Sequence, residues 1–228
     1  RDRSVSRGLG DVYKRQGFAP AEELRAALTA DVQKVQFVGV AGTAGKTAAA
    51  GLLAAILREA AFHVGFYRAG CEPLSARIAI GGVSVDPVLL CQAAEALSAA
   101  KPLPREAAEL AAAARCFGAA GCKLAVVELP DAGLASALPN MPVCAVTAIG
   151  PDGVSRSVER LAALAAGVMR KDAVCVTAPE QPKAVLSELV VAAAKAECEL
   201  VVPDAEDITF LEAEKFTSKV DYGGYTAP

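Results

Sequence analysis

Phe37-Val38-Gly39-Val40-Ala41-Gly42-Thr43-Ala44-Gly45-Lys46-Thr47 is the stretch on which the reading of this chain turns. The β-branched run from Val35 to Val40 predicts a buried strand. It breaks at Gly42 and Gly45 and passes into an Ala/Leu-rich segment with helical character. Strand, glycine loop, lysine, hydroxyl and helix, in that order, are the layout of a phosphate site, and each part has its own physical reason. Gly42 and Gly45 can take φ > 0 and let the backbone come close to an anion. Free N–H groups at the helix start point at that anion, and the helix dipole adds roughly half a positive charge. Lys46 supplies a full charge where terminal phosphates would sit, and Thr47 offers a hydroxyl to Mg²⁺. Gly42, Thr43, Ala44, Gly45, Lys46 and Thr47 are therefore the candidate ATP/phosphate-binding residues, with Lys46 also the candidate catalytic residue. The common P-loop spacing wants a glycine where Val40 stands, so the strict pattern is not met and Gly-Thr-x-Gly-Lys-Thr remains. The competing reading is a strand-to-helix turn with a solvated lysine near its cap. Loop, lysine and flanking elements agree better with the phosphate site.

Outward from this stretch the chain alternates. A short helix is expected over residues 20–29, with Leu24 and Leu28 at i, i+4. The helix after Lys46 carries Leu52, Leu53, Ile56 and Leu57 as its packing stripe. Gly51 inside it would weaken an isolated helix by ~1 kcal/mol, so close packing is its expected reason. Residues 63–67 read as a second strand. Residues 77–85 read as a hairpin turning at Gly81-Gly82. Helices are expected over 87–100, 106–117, 155–169 and 181–196, the last with Pro182 in its first turn. Strands are expected over 123–129, 143–147, 173–177 and 200–202. Apolar, non-alternating strands separated by helices predict an α/β fold: a mostly parallel sheet with helices on both faces and small antiparallel hairpins. Residues 208–225 change character and end in an antiparallel strand and turn around Gly223-Gly224. Residues 1–16 are polar and basic, lack periodicity and do not match the alanine-rich remainder of the chain. They read as a non-native tail, like translated adapter sequence, and lie outside the fold reasoning.

Composition narrows the function classes. The 228 residues suffice for one good-sized domain or one and a half. A net charge of −3 gives no basic field for nucleic acid or a membrane surface. Aromatics are 5% with no Trp, too few for a base-stacking platform. Seven cysteines (71, 91, 116, 122, 144, 175, 198) form no CxxC pair, so small buried thiols are expected rather than a metal site or disulfides. That pattern suits a reducing cytoplasm. No apolar run has the length of a membrane span and no signal peptide is visible. No oligomer signal is readable. His63 stands before a strand without a partner motif and reads as structural or solvated.

The loop resembles that of the Mur ligase family, and within it the folylpolyglutamate/dihydrofolate synthase branch, whose loop reads Gly-Thr-Asn-Gly-Lys; Ala44 stands where that Asn usually is. The resemblance continues in chain order from about Gly17. Leu52 to Arg58 looks like the family's first helix and Val64-Gly65-Phe66-Tyr67 like its next strand. Arg77-Ile78-Ala79-Ile80-Gly81-Gly82 resembles its Arg-Ile-x-Ile-Asn-Gly hairpin. Leu124-Ala125-Val126-Val127-Glu128 resembles the strand ending in a magnesium-binding glutamate. Val146 to Asp152 resembles its Thr-x-Ile-Gly-x-Asp-His segment, and Glu159 to Val168 the next helix of the family. Phe216 to Tyr225 resembles a strand-forming stretch late in the central domain. The resemblance implies a Mur-like central ATP-binding domain over residues 17–228, incomplete at its C-terminal end, with the C-terminal ligase domain absent. It also implies Glu128, with Thr47, as magnesium ligands, and Asp152 as a further candidate whose other reading is a loop or Asx-turn residue. The strand end also favours a functional Glu128 over a merely solvated or paired one.

The departures define the alternatives. Ala69-Gly70-Cys71 stands where the folate branch has Ser-Pro-His, Gly153 where a metal-binding His follows Asp, and Ala165 where the family carries a carbamylated lysine. One Mg²⁺ with waters and phosphate oxygens is the expected metal, without a second. The resemblance implies an ATP-dependent carboxylate–amine ligase that forms an acyl phosphate and then an amide, with ATP, Mg²⁺ and a small-molecule carboxylate as partners. The alternative is a nucleotide-binding pseudoenzyme or fragment that has lost ligase chemistry. A P-loop NTPase or small-molecule kinase is a third reading, against which whole-chain order argues.

Overall fold

The predicted strand at the glycine loop is β1 (Gln36–Ala41), and it lies in the middle of the main sheet. The structure is a computed structural model that describes residues 21–98, 102–151, 157–204, 206, 208–213, 218–222 and 225–227. After a helix over residues 21–27 (α1) and a 3-10 turn at Val32–Lys34, the chain enters β1 and then α2 (Lys46–Glu59). It continues through β2 (Val64–Tyr67), β3 (Ile78–Ile80), β4 (Val83–Ser84), α3 (Pro87–Ser98), α4 (Arg105–Ala119) and β5 (Leu124–Glu128). Then come a 3-10 turn at Ala132–Ala137, β6 (Val143–Val146), α5 (Val158–Ala165), β7 (Val174–Thr177), α6 (Lys183–Ala196) and β8 (Glu199–Val201). These eight strands form one sheet in the order β4-β3-β2-β5-β1-β6-β7-β8. All neighbours are parallel except β2/β3 and β3/β4, where the Gly81-Gly82 turn folds the hairpin back onto one edge. β9 (Ile208–Ala213), β10 (Ser218–Tyr222) and β11 (Tyr225–Ala227) form a separate antiparallel sheet, more strand than the single one expected there.

Chirality distributes the helices. From β1 the chain crosses to β2 on one side, whereas from β5 through β6, β7 and β8 it moves the other way. Right-handed crossovers put connections of opposite direction on opposite faces. α2 accordingly covers one face, with Ala50, Leu53, Ala54 and Leu57 against Val38, Val40, Val64 and Val126. The larger core lies on the other face, where α1, α3, α4, α5 and α6 meet Phe37, Ala41, Tyr67, Ala125, Val127, Cys144, Val146 and Cys175. β2 is thin enough for this packing because Gly65 seats the Phe117 ring of α4: a Cβ there would lie 2.4 Å from the ring.

Several local expectations are corrected. Leu52 and Ile56 do not pack on the sheet and are 66% and 42% exposed; the i, i+3, i+4, i+7 stripe is set by Ala50, not by Leu52. Gly51 is not held by close packing, since a Cβ there would meet nothing within 4 Å. Pro182 is the N-cap of α6, not part of its first turn, because its ψ of 143° is extended; Gln181 is thereby a loop residue. The helix expected to Met169 ends at Ala165 and closes in a 3-10 turn, Ala166–Val168, with Ser157 capping its start. Cys71 and Cys91 are exposed, while the other five cysteines are buried. The expected tail over residues 1–16, Asp152, Gly153 and the expected turn at Gly223-Gly224 lie outside the described residues.

Candidate functional site

β1 is the point where the sheet reverses its winding. Its onward helix runs on one face while the connections leaving β5 and β6, its two neighbours, run on the other. In open α/β sheets that geometry opens a crevice at the carboxyl ends of the strands, where ligands bind. The loop from Gly42 to Gly45 leaves β1 at this edge.

Gly42 has φ 137° and passes so close to the end of β6 that a Cβ would lie 2.2 Å from Thr147 Oγ1. Gly45 is the N-cap of α2 with φ 81° and ψ 0°, left-handed geometry that a side chain penalises. Its carbonyl accepts from Ala49 N at 2.9 Å, opening the helix. The next amides, in the first turn, have no intrahelical partner and point out of the helix start. Lys46 lies in the same turn, and its Nζ donates to Gly42 O at 2.9 Å, curling over the loop.

Thr43 and Ala44 are used differently from the sequence expectation. Their backbone N–H groups donate to Ala148 O, at 3.2 and 3.1 Å, instead of facing outward. Thr43 Oγ1 also donates to Ala148 O at 3.0 Å and accepts from Gly150 N at 2.8 Å. Thr43 and Ala44 thus fasten the loop to the segment after β6, and the turn Gly45–Thr47 opens α2 beyond that fastening.

Glu128 ends β5 beside β1, in register with Val40. It is only 5% exposed, yet its Oε2 accepts from the Thr47 hydroxyl at 2.9 Å. Two residues 81 positions apart in sequence therefore bring an alcohol oxygen and a carboxylate to the start of α2. Both are oxygen donors of the kind Mg²⁺ takes, and they leave room in an octahedral shell for waters and phosphate oxygens. Among the described residues no cluster of three or more His, Cys, Asp or Glu is placed to hold a metal ion. Ala165, where the resemblance led one to look for a lysine, is 7% exposed and part of the hydrophobic core.

Two groups near this edge escaped sequence reasoning. Gln181 bridges the ends of β6 and β7, bonding Thr147 O, Ile149 N and Thr177 Oγ1. The only sequence signal was a polar residue before a proline at a helix start. Beyond β2, the buried Arg77 pairs with Glu109 of α4 at 2.8 Å, with Tyr67 OH and Arg105 completing the cluster. Hydrogen bonding from Arg77, reinforced by Arg105, holds the Glu109 carboxyl down to about 2, and burial with the Glu109 charge pushes the Tyr67 phenol up to about 12. Among the described residues no helix is long and apolar enough to cross a membrane.

No family model matches this sequence, and no curated protein does. Solved structures do. The Mycobacterium tuberculosis folylpolyglutamate synthase complexed with ADP superposes with a TM-score of 0.73 at 20% identity, over 88% of this chain and 50% of that one. The Thermotoga maritima folylpolyglutamate synthase gives 0.77 at 17% identity, over 91% and 52%. A complex of such a synthase with AMPPCP and folate gives 0.77 at 19%, over 92% and 56%. This chain thus has the fold found in about half of a folylpolyglutamate synthase, as its loop and element order led one to expect, and it spans about half the length of those proteins.

Proposed function

We propose that this chain is the nucleotide-binding part of an ATP-dependent carboxylate–amine ligase of the folylpolyglutamate/dihydrofolate synthase type. The observation that carries the reading is the 2.9 Å contact between Thr47 Oγ1 and Glu128 Oε2 at the start of α2, beside Lys46 and the left-handed Gly45. That arrangement serves a triphosphate with its magnesium better than a solvated turn, since it gathers amides, an ammonium and two oxygen donors at one strand edge. Neighbours of the same fold have been solved with ADP and with AMPPCP and folate, which supports a nucleotide and a small carboxylate as the ligands.

In this reading the amides of the Gly45–Thr47 turn hold the phosphates. Lys46 exchanges Gly42 O for a terminal phosphate oxygen and neutralises charge as the γ-phosphoryl leaves. A substrate carboxylate oxygen attacks the γ-phosphorus and ADP departs. An amine then attacks the acyl carbon, loses a proton and expels phosphate, leaving an amide. Thr47 and Glu128 would hold Mg²⁺, which when bound would supply charge neutralisation to the phosphates. Ala165 in the core supports one metal rather than two. Asp152 is proposed as a further oxygen ligand, residues 17–228 as the domain and the cytoplasm as its place.

Calorimetry with MgATP on the full chain tests the nucleotide reading. Binding that Lys46→Ala and Glu128→Gln each weaken by tenfold or more, about 1.4 kcal/mol, is the expected result. A parent chain that ignores MgATP, or variants that bind it equally well, would overturn it.

A further inference from the structure

We infer that Gln181 is a positioning residue of the nucleotide site: it sets the phosphate loop by clamping the peptide on which that loop rests. The inference rests on the nucleotide reading above and assigns a role to a residue outside the glycine loop.

Ala148 is the point on which the loop bears. Its carbonyl accepts three hydrogen bonds from the loop, from Thr43 N, Ala44 N and Thr43 Oγ1, at 3.2, 3.1 and 3.0 Å. The orientation of that carbonyl therefore decides where the loop stands and where the Gly45–Thr47 amides aim. Gln181 holds the chain on both sides of it. Its Nε2 donates to Thr147 O at 3.0 Å and its Oε1 accepts from Ile149 N at 3.1 Å. The second Nε2 hydrogen goes to Thr177 Oγ1 at 3.0 Å, a buried group at the end of β7. A backbone carbonyl can only accept and a backbone N–H can only donate, so this pair of partners requires a carboxamide and fixes which way it faces. A carboxylate would meet Thr147 O with an acceptor, and a methionine would satisfy neither partner.

The remaining contacts close the circuit. Thr147 N and Oγ1 both donate to Ala41 O, at the end of β1. Gly150 N donates to Thr43 Oγ1. Residues 147–150 are thereby tied to β1, to the loop and to Gln181, whose side chain also joins them to Thr177 on β7. The side chain reaches this position because Pro182, in extended geometry, starts α6 one residue later and leaves Gln181 free of the helix.

Two measurements on the full chain test the inference, using Gln181→Met and Gln181→Glu. The first is amide hydrogen exchange without nucleotide. Peptides covering residues 41–50 and 147–150 should exchange faster in both variants, while α4 (Arg105–Ala119) is unchanged. The second is MgATP calorimetry. The dissociation constant should rise about tenfold at unchanged stoichiometry, whereas mere loss of folded protein would lower the stoichiometry and leave the constant alone. A cycle with Thr43→Ala should be non-additive, because both side chains act through Ala148. Unchanged loop exchange in Gln181→Met overturns the role of Gln181 whatever the parent binds. A parent that does not bind MgATP overturns the nucleotide reading itself. An additive cycle overturns the route through Ala148.

Discussion

Gly42, Gly45 and Gly51 stand within ten residues and answer to three different constraints. Gly42 is held by contact: its φ of 137° and a 2.2 Å approach to Thr147 Oγ1 leave no place for a methyl group. Gly45 is held by dihedral alone, since at φ 81° its Cβ direction is open. Gly51 is held by neither, sitting in an ordinary helical turn with free space. Gly51→Ala should therefore stabilise the chain by about 0.5–1 kcal/mol, read as a higher urea midpoint. Gly42→Ala should destabilise it by about 1–3 kcal/mol and weaken MgATP binding. Equal effects of the two substitutions on the midpoint would refute the distinction. The sequence marks all three positions as places without a side chain. Which neighbour each one meets was not legible there, because Thr147 comes from the end of a strand more than a hundred residues away.

Among elements, the clearest case is the joint between the β2–β3 edge and α4. Arg77 follows a 3-10 turn, leads into β3 and is 1% exposed at its side chain; its ion-pair partner is Glu109 on α4, also bonded by Arg105. A buried pair of this kind costs little while intact and much when one partner is removed. Glu109→Gln should lower stability at pH 7 by about 3–5 kcal/mol, measured by urea unfolding. The pH dependence comes from the carboxyl being held at about 2 against an ordinary 4.5. The stabilisation is fully present above pH 4.5, where both folded and unfolded chains are ionised. It declines as pH falls toward 2, because the unfolded chain takes up a proton that the folded chain still refuses. The steeper loss of stability between these limits should vanish in Glu109→Gln; if the variant keeps the parental slope, another carboxylate is responsible. The hairpin and α4 were each readable from alternation and helical spacing, but their ionic joint was not, since residues 77 and 109 share no local pattern.

Over the whole molecule, the core on the face away from α2 takes in five of the seven thiols. Burial pushes the Cys116 and Cys122 thiols up to about 11, and the adjacent Cys175 thiol together with burial raises Cys144 further. A maleimide in native buffer at pH 7 should label Cys71 and Cys91 within minutes and the other five only on unfolding, counted by mass spectrometry. Native labelling of Cys144 or Cys175 would contradict the packing of β6 against β7. The sequence alone determined the α/β class, the strand–loop–helix unit at Phe37–Thr47 and the order of elements, because each rests on local periodicity and on residues whose backbone preferences are intrinsic. Only the tertiary structure decided that Glu128 meets Thr47, that Thr43 and Ala44 spend their amides on Ala148, and that Gln181 holds Ala148 from both sides. Those are contacts between strand ends distant in the chain, and strand order in the sheet, set by crossover handedness and burial, is what brings them together.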